Sequence, residues 1–207
     1  MKIVKLIICI AAGYALGSLN PAAIIAKFKK TDLRKKGTGN LGATNVMLIF
    51  GKAAGAFVML FDITKAFIAA KAASALCSEF SFAGIAAGSA AVIGHIFPFY
   101  LKFRGGKGLA PYAGIVLAVD PVLFWILLPI CILFMLIINY SVAMPYSAAL
   151  LFTSLSIWRS DDAVYIIIAA LISLLVLVKH FPNLLKAIRK EDVRIREYIK
   201  NSFIKNA

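Results

Sequence analysis

Long apolar stretches alternate with short basic ones along this chain. The apolar runs cover about 3–26, 53–77, 82–100, 109–119, 122–138, 142–157 and 163–178. A membrane-crossing helix needs ~20 residues, so the pair 109–119 and 122–138 is the ambiguous one. Fused into one helix, the pair would carry Asp120-Pro121 at its middle. Proline breaks the hydrogen-bond ladder there, and aspartate is costly in lipid. Charge arbitrates. With seven spans, residues 27–52, 101–108 and 179–207 share one face and hold 18 of the 23 lysines and arginines. With six, the cations from Lys179 onward move to the other face. The positive-inside rule selects seven, with the N-terminus outside and the C-terminus cytoplasmic. The fourth span is then short, ~16 Å at helical rise, and must tilt little, thin the bilayer or be shielded by its neighbours. The expected fold class is all-α: a polytopic membrane protein with seven transmembrane helices, forming a single domain over 1–207. No internal repeat, low-complexity tract or linker interrupts it.

Composition agrees. The chain is 62% hydrophobic and 15% charged, with a mean hydropathy of +0.90. A net charge of +14 raises the question of nucleic acid, but the cations cluster in short loops and in a tail. That distribution fits orientation and attraction to anionic headgroups, so membrane lipids are the expected partners and nucleic acid is not. Cys9, Cys77 and Cys131 fall in or at the ends of apolar runs without a CxxC, and read as small apolar residues of a reduced protein. The first run follows Lys2 and Lys5 like a signal peptide. It lacks a small-residue cleavage site and continues to Lys27, so it reads as a retained span.

Two polar stretches carry the candidate chemistry. The first is Lys35-Lys36-Gly37-Thr38-Gly39-Asn40-Leu41-Gly42-Ala43-Thr44-Asn45. Gly37, Gly39 and Gly42 let backbone N–H groups turn toward one point, and Thr38, Asn40, Thr44 and Asn45 add donors. Such a loop suits a phosphate; it also suits plain orientation of the chain, and the stretch alone does not choose. The second, His95 to Gly108, combines Lys102, Arg104 and Lys107 with Gly105, Gly106 and Gly108. One pair of runs separates the two loops, so both face the same side. Two facing anion loops point to two phosphate-bearing ligands and a transfer between them.

Other groups narrow the chemistry. Asp62 and Lys65 lie mid-run, three apart on one helix face. They read as a structural ion pair anchoring the bundle, with a proton or ion pathway as the alternative. His95 suits either a general base or a helix-end cap. Two histidines in the whole chain argue against a multi-histidine metal site, and no metal or cofactor is expected. His95 is followed five residues on by Tyr100 and His180 by Leu185, so the His-x4-Asp arrangement of the usual glycerolipid acyltransferases is absent, as is a GxSxG elbow. The tail sets Lys186, Arg189, Lys190, Arg194, Arg196 and Lys200 among Leu184, Leu185, Ile188, Val193, Ile195, Tyr198 and Ile199. It reads as an amphipathic segment on an anionic membrane surface.

Gly17-Ser18-Leu19-Asn20, Asp32-Leu33-Arg34 through Gly37–Val46, Gly94-His95-Ile96-Phe97-Pro98 through Lys102–Gly108, and then His180 and Asn183 resemble the bacterial acyl-phosphate-dependent glycerol-3-phosphate acyltransferases. The resemblance runs over nearly the whole chain and keeps the motif order. It implies a seven-helix enzyme of the bacterial cytoplasmic membrane with its site at the cytoplasmic face, acting as a monomer. The reaction it implies moves an acyl group from acyl phosphate to the 1-hydroxyl of glycerol 3-phosphate, giving lysophosphatidic acid and phosphate. A non-catalytic binder or transporter of lipid phosphate on the same scaffold is the second reading. Acyl phosphate is an activated mixed anhydride, which suits the missing nucleophile.

By motif match, Lys107, His180, Asn183, Asn45 and His95 are the implied catalytic set. Ser18, Lys36, Gly37, Thr38, Gly39, Asn40, Gly42, Thr44, Lys52, Lys102, Arg104, Gly105, Gly106, Gly108 and Ser141 are the candidate substrate-binding set. Three departures stand out. Leu48 replaces the family's arginine for glycerol phosphate, Leu109-Ala110-Pro111 replaces a threonine motif, and Ser141 matches the family's serine only with a one-residue shift. Lys52 is the candidate replacement for the arginine, lying one turn from Leu48 if a helix begins near Asn45. Its alternative reading is an orientation charge.

Overall fold

The computed structural model describes residues 1–192 and 194–197, and among these it is all helical. The helices are α1 (Lys2–Ser18), α2 (Pro21–Phe28), α3 (Ala43–Phe50), α4 (Lys52–Leu76), α5 (Ala83–Ile96), α6 (Leu109–Val119), α7 (Pro121–Ile138), α8 (Ala143–Arg159) and α9 (Ala163–Ile188), with short 3-10 turns at Leu33–Lys35 and Phe99–Leu101. Five stretches are long and apolar enough to cross a membrane: Lys2–Phe28, Lys52–Leu76, Ala83–Leu101, Pro121–Ile138 and Ala163–Ile188. Leu109–Val119 is a shorter apolar helix.

Local chemistry sets the breaks. Asn20 caps α2, its side chain accepting from the Ala23 N–H at 2.8 Å with Pro21 at the first helical position. Asp120 caps α7 in the same way, accepting from Leu123 at 2.9 Å. The 109–138 stretch is therefore two helices. Asp162 caps α9.

Helix α5 is the centre of the bundle. The share of its span that is buried is 72%, against 17% for α7. Its sequence is mostly Ala and Gly, which lets neighbours approach closely. Gly13 and Gly17 of α1 press on the backbone of Ala87 and Ala91, and a methyl on either would overlap it. The main core adds Ile85, Val92, Tyr112, Ile115, Phe152 and Val176, from α5, α6, α8 and α9. Outward apolar side chains such as Trp125, Phe134 and Trp158 are exposed, as a lipid-facing surface requires.

Two sets of contacts define the two ends of the bundle. At one end Arg34 donates to the Arg104 carbonyl at 2.7 Å, Lys107 donates to Asn183, and the Ile195 N–H donates to the Asn139 carbonyl at 3.1 Å. At the other, Ser81 bonds Asp162 and Arg159 pairs with Asp120 at 2.7 Å.

The sequence reading needs two corrections here. Leu48 and Lys52 do not share a helix: Gly51, at φ +94°, turns the chain between α3 and α4. Helix α3 then folds back so that Met47 and Ala43 lie on Gly55, and the two side chains are not one turn apart. The basic tail also begins later than its composition suggests, because α9 runs through Pro182 to Ile188. His180 and Asn183 are thus helical. Further along the tail, Ile195 and Arg196 lie against the end of α7, with Arg196 donating to the Leu136 carbonyl at 3.2 Å. Val193, Tyr198, Ile199 and Lys200 lie outside the described residues.

Candidate active site

The first loop is organised by a residue that the sequence presents as a ligand donor. Asn45, at the start of α3, is wholly buried. Its amide nitrogen donates to the carbonyls of Leu33 (2.9 Å), Lys36 (3.1 Å) and Asn40 (2.9 Å), and its oxygen accepts from the Thr38 N–H at 2.7 Å. That side chain is therefore spent on holding the loop, and its catalytic candidacy becomes a positioning role. Gly37, at φ +57°, packs directly on the Asn45 oxygen, and any Cβ there would collide with it. What the loop presents outward is Lys36, Thr38 and Thr44, all exposed, with Asn40 half-buried and Gly42 buried at the helix start. Ser18 is buried, and its hydroxyl donates back to the Tyr14 carbonyl at 2.9 Å. Its proton is thus used within α1.

The second loop folds back on the end of α5. Gly105 N–H donates to the Ile96 carbonyl at 3.0 Å, and Gly106 N–H to that of His95 at 3.1 Å. Behind it lies a buried cluster. Asp62 pairs with Lys65 at 2.7 Å, and His95 Nδ1 lies 3.2 Å from the same carboxylate oxygen and 3.1 Å from the Lys65 ammonium. Lys65 also donates to the Leu19 carbonyl at 2.8 Å, where α1 ends. The cluster therefore lies beside the break after α1 and the end of α5, behind the second loop. His95 is only 3% exposed, and its ring packs so tightly on Gly106 that a methyl there would overlap Nε2. This histidine supports the loop; it does not open onto it.

The convergent set is Lys107, His180 and Asn183. Lys107, half-buried, donates to the Asn183 side chain. His180 sits one turn before Asn183 on the same face of α9. Its Nδ1 faces the Val176 carbonyl at 2.9 Å; a carbonyl only accepts, so Nδ1 carries the proton and Nε2 keeps its lone pair. Burial pushes the Lys107 ammonium down from the ordinary lysine value, nearby Lys186 acts the same way, and Asp192 opposes both. Gly108, in the left-handed region, packs on Ile96 and starts α6. Lys102 and Arg104 are exposed. Lys52 and Ser141 are exposed as well, at the start of α4 and in the α7–α8 turn. Among the described residues no group of three or more His, Cys, Asp or Glu could hold a metal.

Two connections escaped the sequence reading. Arg34 ties the first loop to the second through backbone carbonyls at Leu101 (3.4 Å) and Arg104 (2.7 Å). Tyr100 accepts from the Asn20 N–H at 3.0 Å and donates to the Ser18 carbonyl at 2.8 Å, fixing the α1–α2 break. Both residues lie inside motif stretches, but nothing in their spacing says which distant backbone they reach.

Comparison with known proteins returns one answer. The family model described as Glycerol-3-phosphate acyltransferase matches residues 7–190. A glycerol-3-phosphate acyltransferase of Macrococcus caseolyticus is 35% identical over 184 residues, covering 88% of this chain and 93% of that protein. One from Staphylococcus aureus is 32% identical over 199 residues, covering 92% and 98%. Among solved structures, the glycerol 3-phosphate form of PlsY (YgiH), an integral membrane glycerol 3-phosphate acyltransferase, superposes with a TM-score of 0.86 at 29% identity, covering 92% of this chain and 95% of that one. The lysophosphatidic acid form gives 0.83 at 28% identity, covering 91% and 94%.

Proposed function

The chain belongs to the glycerol-3-phosphate acyltransferase family, and from that premise we propose how its two basic loops divide the work. It is an acyltransferase that converts glycerol 3-phosphate to lysophosphatidic acid. The donor in our reading is acyl phosphate, held through its phosphate by Lys107 and the second loop. The first loop offers Lys36, Thr38 and Thr44 to the acceptor's phosphate.

The observation that carries the reading is the hydrogen bond from Lys107 to Asn183, with His180 one turn away from Asn183 on α9. The cation draws charge from the leaving phosphate as the acceptor's 1-hydroxyl attacks the acyl carbon. The hydroxyl proton goes to His180 Nε2 or to the departing phosphate itself. The bond from acyl carbon to phosphate oxygen then breaks, releasing inorganic phosphate and the acylated product. No acyl-enzyme forms, and the chain supplies position and charge rather than a nucleophile.

In the same reading the chain crosses the bacterial cytoplasmic membrane seven times as a monomer. The two loops, the α7–α8 turn and the end of α9 face the cytoplasm, and the N-terminus lies outside. The distribution of cations supports that orientation.

Purified protein given acyl phosphate and labelled glycerol 3-phosphate should yield labelled lysophosphatidic acid and one phosphate per turnover. Phosphate-dependent binding of the lipid without product would replace the catalytic reading with that of a lipid-phosphate binder.

A further inference from the structure

We propose that Cys9 and Cys77 form a redox pair that closes to an intramolecular disulfide, joining α1 to the end of α4 far from the two basic loops. Their sulfurs lie 3.8 Å apart although the residues are 68 positions apart in sequence. They meet within a small apolar cluster that includes Leu6, Ala73, Ala83 and Ala87. Cys77 is the C-cap of α4, at φ −125° and ψ 45°. From their present separation the two sulfurs need approach by only about 2 Å to reach the ~2 Å of a disulfide. The sequence reading of three unrelated apolar thiols misses this proximity, because only the packing of α1 on α4 creates it.

Exposure sets the order of events. Cys9 is half-buried and Cys77 buried, so a small disulfide oxidant meets Cys9 first. Cys9 sulfur, giving up its proton, attacks the oxidant, forms a mixed disulfide and releases one thiol. Cys77 sulfur then attacks Cys9 sulfur, forms the bond between them and expels the second thiol. Two protein thiols and one small disulfide become one protein disulfide and two small thiols. The bond complements the tether at the other end of α1, where Lys65 holds the Leu19 carbonyl. Helix α1 is then fixed to α4 at two points.

The test uses the full chain carrying Cys131→Ala, treated with dithiodipyridine, quenched in acid and measured as intact mass and as a peptide map. The expected product has lost two hydrogens, carries Cys9 and Cys77 in one linked peptide pair, and melts at a higher temperature that falls back under dithiothreitol. In the further variant Cys77→Ala, Cys9 should instead keep a stable pyridyl adduct. Separate pyridyl adducts on Cys9 and Cys77, or two thiols that both stay free under prolonged treatment, would overturn the proposal. The same peptide map on the unmutated chain decides the matter should Cys131→Ala fail to fold.

Discussion

Lys107 joins a cation to a half-buried setting, and both its neighbours and its burial bear on what pH does to it. Its pKa is lowered by burial first and by Lys186 next, so the free enzyme loses this charge at a lower pH than an ordinary lysine would. The kcat/KM for acyl phosphate should therefore fall on the alkaline side, with its inflection below the ~10.4 of a free lysine. Lys107→Arg stays charged throughout and should remove that limb; a limb that persists belongs to another group. Lys107→Ala loses a charge-assisted contact worth ~1.5–3 kcal/mol, so its rate should drop roughly 10- to 150-fold while the protein still inserts. Asn45→Ala should act differently. It strips partners from several loop carbonyls and one N–H at once, at ~1–3 kcal/mol for each group left buried and unpaired. The expected result is a lower melting temperature together with a higher KM for glycerol 3-phosphate; a mutant with parental melting and KM would remove Asn45 from the loop's support. At this scale the motifs pointed to Lys107 and Asn183, whose side chains bond, and to His180 one turn away on α9. They could not show that Asn45 and His95 are held by internal partners, because a donor aimed at a ligand and a donor consumed inside the fold look identical in a motif.

Helices pack here by subtraction of side chains. Gly17 lies against the Ala91 backbone, so Gly17→Leu should push α1 off α5 and lower thermal stability. A substitution to Leu at exposed Ile8 should leave stability unchanged. Equal melting of Gly17→Leu and the parent would contradict the packing. The hairpin of α3 on α4 changes what Leu48 and Lys52 can do. With Gly51 turning the chain between them, Lys52 has lost its claim to stand in for the missing arginine. Leu48 is exposed on α3. Leu48→Arg should lower the KM for glycerol 3-phosphate, and Lys52→Ala should leave it unchanged; a raised KM in Lys52→Ala would restore Lys52 to the site. The apolar runs foretold where most helices lie, since hydropathy records burial in lipid directly. They could not foretell α3, whose eight residues are too few for a span. Nor could they foretell that α9 continues past its apolar part, because a transmembrane helix tolerates Pro182 when its surroundings satisfy the backbone.

For the whole molecule, orientation is the quantity that the contacts leave to experiment. Single cysteines introduced at Thr38 and Asp161, each in a chain freed of Cys9, Cys77 and Cys131, should label with an impermeant thiol reagent from opposite sides. Asp161 should react in intact cells and Thr38 only after lysis. The reverse pattern would invert the proposed topology. That the two basic loops and the tail share one end was legible, because the cations cluster in those segments. That His95 joins the Asp62–Lys65 pair was not, because run length says nothing of which neighbouring helix ends beside it.

The Arg34 bridge has a consequence for how such chains can be recombined. The guanidinium grips main-chain oxygens at Leu101 and Arg104, and every amino acid provides those. The first loop is thus matched to the path of the second, not to its side chains. A chimera that imports the first loop from a relative should assemble whenever the host keeps the length of residues 98–105 and the left-handed backbone of Lys102 and Phe103. One residue inserted there should undo the join even when every imported side chain is native to its donor.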